Sequence, residues 1–295
     1  MIRDIIVDTG HGRMARRIFS LIVMLGVTTT AWADIPSRDC REGKTPEEVI
    51  AACTTDLKQP TSDFNRGAAL NDRAKAYDAL GMSDKAKADY DRAVVLAPVF
   101  TTWFNRGQFL IDAGSFDAAA DDLSKAIALY DGQRPHEHGD ITEAQYLEAH
   151  FQRGEALRRG GHYAEAVTDY SLVIATQPRN DVAFTQRAFA YSHLGQLDND
   201  IADLTRVIAL TKPDAFTLYN RGLAYARKGD DAHALADFSD AIERAPSLAT
   251  AYVARGSVLE QMGKRDKALA DYHKAAQIDP RLESAAVALA HLDAK

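Results

Sequence analysis

The side chains in this sequence with the plainest capacity for metal chemistry are histidines. His136 and His138 stand two residues apart near 131–145, a stretch rich in Gly, Pro and charge that is typical of an exposed loop. His150 and His162 could add ligands from further along the chain. A zinc site needs three or four converging ligands, so one His-x-His pair is weak evidence. We predict no metal and no cofactor, and a small-ligand or metal-binding module centred on this loop is the alternative function.

The sequence contains two cysteines, Cys40 and Cys53. In an oxidising compartment, two neighbouring cysteines without competitors favour a structural disulfide. The alternative is a pair of free thiols, while a redox role would require a closer spacing such as Cys-x-x-Cys. The sequence has no Gly-x-Ser-x-Gly, no phosphate-binding glycine loop and no His-Glu-x-x-His. It therefore predicts no catalytic residue, and the protein is not expected to be an enzyme.

The elements that would position such groups follow a period of 34 residues. The period is clearest in Arg153-Gly154, Arg187-Ala188, Arg221-Gly222 and Arg255-Gly256. Six repeats begin at residues 67, 100, 147, 181, 215 and 249, and the insertion near 131–145 separates the second from the third. In each repeat, apolar residues recur at helical spacing on both sides of a Gly at position 15. This pattern predicts two antiparallel amphipathic helices joined by a tight turn.

This pattern resembles the tetratricopeptide repeat, with a bulky residue at position 4, small residues at 8, 20 and 27, an aromatic residue at 24 and Pro at 32. The resemblance covers roughly residues 67–282. It implies an all-α fold, a right-handed α-solenoid of about six helical hairpins with N-terminal and C-terminal capping helices. Two departures are His150 at the bulky position 4 of repeat three and Asp200 at the small position 20 of repeat four.

An Arg at position 7 and an Asp at position 23 recur in all six repeats. The predicted ion pairs are Arg73 and Asp89, Arg106 and Asp122, Arg153 and Asp169, Arg187 and Asp203, Arg221 and Asp237, and Arg255 and Asp271. In a hairpin that turns near position 15, positions 7 and 23 face each other, and we expect each Asp to meet the Arg of the following repeat as well. A row of ligand-binding arginines is the alternative. Residues fixed in every repeat favour the structural role.

The resemblance also implies that the first helices of successive repeats line a concave groove through positions 2, 5, 9, 12 and 13. The predicted partner-binding residues at these positions are Phe104, Phe151, Arg158, Arg159, Phe189, His193, Phe216, Tyr219 and Arg227. Aromatic and Arg side chains are favoured at binding hot spots. The alternative for each aromatic residue is packing between neighbouring helices. The Lys and Asn arrangement by which some family members clamp a terminal carboxylate is missing.

Capping segments are predicted at both ends of the repeat array, which spans 63–282. The segment 34–62 contains both cysteines and a helix that starts after Thr45, a good N-cap. The segment 283–295 is predicted to be a helix that covers the last repeat, as repeat arrays require. Asp140 and Glu143 predict a capping box for the first helix of repeat three.

Residues 1–33 are predicted to be an export signal. Basic residues precede an apolar run that is too short to span a membrane, and Ala31-Trp32-Ala33 supplies a small-x-small cleavage site before Asp34. Met14 is an alternative start. We therefore expect a periplasmic or secreted bacterial protein without a membrane span after cleavage.

The net charge of −7 argues against nucleic acid as a partner, because such binding uses clustered basic charge. With no catalytic residue and an extended helical surface, the predicted function is a non-catalytic scaffold for protein–protein interaction. It would bind a partner protein or peptide in the concave groove.

Overall fold

A computed structural model describes residues 38–130 and 141–293. The described residues form fifteen α-helices joined by turns, with no β-strand among them. Contacts divide the chain between Phe109 and Leu110 into an N-terminal and a C-terminal unit. The predicted signal at 1–33 lies outside the described residues, as do His136 and His138. None of the helices within the described ranges combines the length and apolar character needed to cross a membrane.

The N-terminal unit begins with a disulfide-linked cap. Its helices are α1 (Arg38–Glu42), α2 (Pro46–Asp56), α3 (Asp63–Ala79), α4 (Ser83–Leu96) and most of α5 (Phe100–Asp112). Thr45 caps α2 as predicted. The backbone N–H of Glu48 donates to the Thr45 hydroxyl, and the backbone N–H of Thr45 donates to the Glu48 carboxylate. Cys40 and Cys53 form a disulfide that is buried between α1 and α2. The cap thus covers one side of α3, which α2 contacts directly.

The C-terminal unit is a row of helices in which each packs against the next. They are α6 (Phe116–Ala128), α7 (Glu143–Arg159), α8 (Tyr163–Thr176), α9 (Asp181–His193), α10 (Leu197–Leu210), α11 (Ala215–Lys228), α12 (Asp231–Arg244), α13 (Ala249–Gln261), α14 (Arg265–Ile278) and α15 (Glu283–Asp293). The predicted capping box of Asp140 and Glu143 is wrong. Helix α7 starts at Glu143, so Thr142 is the N-cap and Gln145 completes the box.

The turn within each repeat depends on the Gly at position 15. All six adopt a left-handed backbone with positive φ, namely Gly81, Gly114, Gly161, Gly195, Gly229 and Gly263. At the end of α11, the backbone N–H groups of Gly229 and Asp230 donate to the carbonyls of Ala226 and Tyr225. Such a turn satisfies carbonyls that the helix end would leave free, and a residue with a Cβ is strained there. The hairpin turn predicted from this Gly is confirmed.

Small residues at position 8 let the two helices of a repeat approach closely. A Cβ atom added to Gly222 would lie 2.7 Å from the Phe238 ring, and one added to Gly256 would lie 2.7 Å from the Tyr272 ring. Both rings are fully buried or nearly so. The spacing of small and aromatic residues therefore fixes the distance between paired helices.

Helix α15 closes the C-terminal unit. Ala285 and Leu292 are buried against residues of α13 and α14, and Ala288 and Leu289 pack beside them. The last repeat would otherwise expose this apolar face to water.

Candidate functional site

Five of the six position-7 arginines form two-point ion pairs with the Asp sixteen residues later in the same repeat. These pairs are Arg73 with Asp89, Arg153 with Asp169, Arg187 with Asp203, Arg221 with Asp237, and Arg255 with Asp271. The Nε of Arg221 donates to Asp237 over 2.8 Å and its Nη2 over 2.7 Å. The carboxylate is buried, and its hydrogen bonds raise the pKa of Arg221 above the ordinary value. Each pair ties the two helices of one hairpin together.

The expectation that each Asp also meets the Arg of the following repeat is wrong for the pairs in the C-terminal unit. The remaining guanidinium nitrogen, Nη1, donates to a hydroxyl of the preceding repeat: Arg187 to Ser171 over 2.9 Å and Arg221 to Thr205 over 3.1 Å. Arg153 and Arg255 do the same with Ser124 and Ser239. The planar guanidinium has two donor edges. One edge binds the Asp of the same repeat, and the other binds the hydroxyl group of the preceding repeat.

Position 25 supplies this acceptor in successive repeats. In repeat one it is Asp91, which accepts from Arg106 Nη1 over 3.0 Å, while Thr54 of the cap accepts from Arg73. Asp122 accepts from Lys125. The pairing of Arg106 with Asp122 stays a prediction.

Repeat three adds a histidine to this ion pair. His150 is buried, and its Nδ1 lies 2.6 Å from Oδ1 of Asp169, which also binds Arg153. Burial alone would raise the pKa of Asp169, but the hydrogen bonds from Arg153 and His150 hold it below its usual value. The predicted bulky position 4 is thus filled by a side chain that packs against Tyr146 and stabilises the carboxylate.

Nine predicted partner-binding residues differ in how they are placed. Phe104, Phe151 and Tyr219 are half-buried and pack against Phe100, Tyr170 and Phe238 respectively. The guanidinium of Arg159 lies 4.6 Å from the centre of the Phe116 ring. By contrast, Phe216 is 64% exposed and Phe189 is 43% exposed. The three half-buried aromatics therefore pack as the alternative describes, while Phe189 and Phe216 keep a large part of their surface exposed.

Four of the predicted residues belong to one continuous surface across α7, α8, α9 and α11. We call it the cation–aromatic ribbon, and it consists of Arg158, Tyr163, Phe189, Ser192, His193 and Arg227. The Arg158 guanidinium lies 4.8 Å from the Phe189 ring centre, and the His193 ring lies 4.5 Å from Phe189 and stacks on Tyr163 at 4.4 Å. Arg227 reaches back from α11 and donates to the hydroxyl and the carbonyl of Ser192 over 2.7 and 3.1 Å. Cations at these helix C-termini also complement the helix dipoles.

Tyr163 and Ser192 were missed by sequence reasoning. Ser192 occupies position 12, one of the groove positions, but is neither aromatic nor charged. Tyr163 begins the second helix of repeat three, outside the groove positions, and only the packing of α8 against α9 of the next repeat brings it to His193.

Asp200 lies beneath the ribbon, at the small position 20 of repeat four. Its carboxyl group is only 3% exposed. Burial raises the pKa of Asp200 to about 6. A hydrogen bond from Ser192 and the charge of Arg227 lower this pKa, but the effect of burial is larger. Ser192 therefore links a buried acid on α10 to an exposed guanidinium on α11.

A cleft of about 480 Å³ lies among α6, α7 and α8. Asp117, His162 and Glu165 lie at it, with Arg153 in its wall. His162 Nε2 lies 3.0 Å from Asp117. Within residues 38–130 and 141–293, no three His, Cys, Asp or Glu side chains are arranged to hold a metal ion.

Sequence comparison agrees with the helix pairs. One profile of the tetratricopeptide repeat matches residues 249–282, and a second matches 68–100 and 217–248. These ranges hold the pairs α13 with α14, α3 with α4, and α11 with α12. The chain belongs to the tetratricopeptide repeat family. Members of this family typically bind proteins or peptides and are generally non-catalytic scaffolds.

A profile of the bacterial transcriptional activator domain matches residues 97–202, mostly between the tetratricopeptide matches.

Solved structures of tetratricopeptide repeat proteins have the same fold. The C-terminal part of a repeat protein from Cytophaga hutchinsonii is 18% identical, with a TM-score of 0.62 over 83% of this chain and 94% of that one. A repeat protein from Parabacteroides merdae is 19% identical, with a TM-score of 0.52 over 85% and 93%. MamA from Desulfovibrio magneticus RS-1 is 19% identical, with a TM-score of 0.54 over 62% and 96%. These likenesses show an all-α solenoid of repeats, as predicted.

We call the row of ion pairs between positions 7 and 23 the Arg–Asp ladder. Removal of one of its carboxylates should destabilise this tetratricopeptide repeat protein. Asp237→Ala leaves the Arg221 guanidinium without its ion pair at a partly buried position, so we expect the free energy of unfolding to fall by about 3–5 kcal/mol. Urea denaturation followed by circular dichroism measures this. The control is Asp240→Ala, an exposed residue on the same helix, which should change stability by less than about 0.5 kcal/mol. Equal losses in the two variants would refute the ladder.

The buried Asp200 should make stability depend on pH. Its pKa is raised from 3.8 to about 6, so the folded protein holds the proton more tightly than the unfolded chain does. The contribution of Asp200 to stability is therefore most favourable below pH 3.8 and is lost as pH rises through about 6. Asp200→Asn should raise the free energy of unfolding by about 1–3 kcal/mol at neutral pH and give no gain at acidic pH. Denaturation at both pH values, with Asp240→Asn as the control, tests this, and an equal gain at both would contradict it.

Proposed function

We propose that this tetratricopeptide repeat protein is a non-catalytic scaffold of the bacterial periplasm or cell envelope that holds a segment of a partner protein. The observation that supports it most is the exposure of Val182, Phe189 and Phe216 on the first helices α9 and α11. Large apolar side chains that stay exposed on neighbouring helices are typical of a binding surface. Arg158 lies beside Phe189, Arg227 binds Ser192 one turn further along α9, and Arg is enriched at such hot spots.

The proposed compartment rests on the sequence. Residues 1–33 have the features of an export signal, and the buried disulfide of Cys40 and Cys53 suits an oxidising compartment.

The proposal does not extend to nucleic acid, despite the profile match at residues 97–202. The chain is acidic, with a net charge of −7, and acidic side chains lie beside the basic ones of the ribbon, as Glu155 does beside Arg158. Contacts with phosphate require unpaired clustered cations.

Export predicts a defined mature chain. Protein purified from the periplasmic fraction should begin at Asp34, and Cys40 and Cys53 should resist alkylation until a reductant is added, which peptide mass spectrometry measures. Ala33→Trp, which places a large residue at the cleavage site, should leave the signal attached. Recovery of the uncleaved chain from the cytoplasmic fraction with both thiols free would contradict the proposed location.

The binding surface can be tested in intact cells. The double variant Phe189→Ala and Phe216→Ala removes two exposed rings, and it should lose partner crosslinks by about tenfold or more while its circular dichroism stays unchanged. Crosslinking followed by mass spectrometry measures the loss.

The matched control is Val95→Ala, since Val95 is 75% exposed on α4, outside the proposed surface. If the double variant captures every partner as the native chain does, the proposed surface is wrong.

A further inference from the structure

The cation–aromatic ribbon has an apolar contact point at Phe189. The ring is 43% exposed, although the Arg158 guanidinium and the His193 ring lie 4.8 and 4.5 Å from its centre. Arg158 is itself fixed by a two-point ion pair with Glu155, and His193 is fixed by stacking on Tyr163. Because the ring is already ordered, a partner side chain that packs on its free surface loses little further side-chain entropy.

Among the described residues Arg227 forms no direct ion pair, although its charge acts on the buried carboxyl group of Asp200 behind Ser192. It donates hydrogen bonds to the hydroxyl and carbonyl oxygens of Ser192, both neutral, and no carboxylate of the described residues lies within 4.0 Å of its nitrogen atoms. The side chain is exposed, and a guanidinium has five N–H donors, so several point to solvent. Arg158, by contrast, has its fork occupied by Glu155. Within the ribbon, Arg227 is therefore the group that can donate to a partner carboxylate, and Ser192 holds the guanidinium in place.

The spacing of these two contact points limits what can bind both. Phe189 and Ser192 are three residues apart on α9, so their Cβ atoms are roughly 5–6 Å apart, and the Arg227 guanidinium is held at Ser192. In an extended chain, side chains on one face are about 6.5–7 Å apart and two residues apart in sequence. An apolar side chain and a carboxylate separated by one residue fit this distance.

The charges around the ribbon favour an acidic side chain of the partner at Arg227 in particular. The chain as a whole is acidic and repels acidic segments in general. Glu155 is paired with Arg158 and Asp198 with Lys228, while Asp200 is buried and hydrogen-bonded to Ser192. A carboxylate placed at Arg227 gains charge-assisted hydrogen bonds from the guanidinium, whereas Arg158 already donates to Glu155.

We propose that the cation–aromatic ribbon selects extended partner segments in which an apolar side chain, packed on Phe189, is followed two residues later by an acidic side chain bound to Arg227. This inference rests on the proposed scaffold function and names the chemistry of its partner. It assigns Phe189 and Arg227 separate roles, so the two preferences should be separable by mutation.

A random peptide library displayed on phage, selected on the immobilised full chain, tests both roles. Selected peptides should be enriched in an aromatic or large apolar residue followed two places later by Asp or Glu. Arg227→Gln should abolish the acidic preference and keep the apolar one, Arg227→Glu should convert it to a preference for Lys or Arg, and Phe189→Ala should abolish the apolar preference. Arg244→Gln, an exposed Arg on α12, is the matched control and should change neither.

A double-mutant cycle on the best selected peptide gives the quantitative test. Replacement of its acidic residue by the amide should weaken binding to the native chain about fivefold or more, and have no effect on Arg227→Gln. Peptides enriched without an acidic preference, or an acidic preference that persists in Arg227→Gln, would overturn this inference and leave the scaffold proposal standing. No enrichment over an unrelated immobilised protein would overturn both.

Discussion

The ion pair between position 7 and position 23 is the interaction on which the register of this protein depends. Repeat arrays have only contacts between neighbours, so no distant part of the chain can correct a slipped hairpin. A buried carboxylate such as Asp169 is costly unless its partner is in place, and any other register would leave it without one. Because the other edge of each guanidinium binds the preceding repeat, one side chain such as Arg187 fixes both the hairpin and its stacking.

The departures from the repeat pattern carry their own polar partners. His150 replaces a bulky residue and binds the ladder carboxylate of its repeat. Asp200 replaces a small residue, and its buried carboxyl group is bonded to Ser192, which holds Arg227. A small apolar residue at position 200 would avoid the cost of burying a carboxyl group, so Asp200 lowers the stability of the fold at neutral pH. Through Ser192, this destabilising acid is in contact with the residue that holds Arg227 on the proposed binding surface.

The period of the sequence was enough to predict the helices, because glycine at position 15 and small residues at position 8 act through local geometry. It was also enough to place Arg221 opposite Asp237, since the turn between them is tight. It failed for the acceptor at position 25, because a hydroxyl such as Thr205 has no pattern of charge to mark it. It could not separate Tyr219, which packs on Phe238, from the exposed Phe216, since both occupy groove positions and differ only in how neighbouring helices cover them.

Selectivity for a partner has to come from positions that differ between repeats. Position 7 is Arg and position 23 is Asp throughout, so these residues distinguish the repeats little, and in five of the six repeats they are paired with each other. Positions 12 and 13 are different: they hold Arg158 and Arg159, then Ser192 and His193, then Ala226 and Arg227, then Glu260 and Gln261. A regular ladder fixes the spacing of these variable side chains, and their order along the row then determines which sequence of apolar and charged groups a bound segment must present.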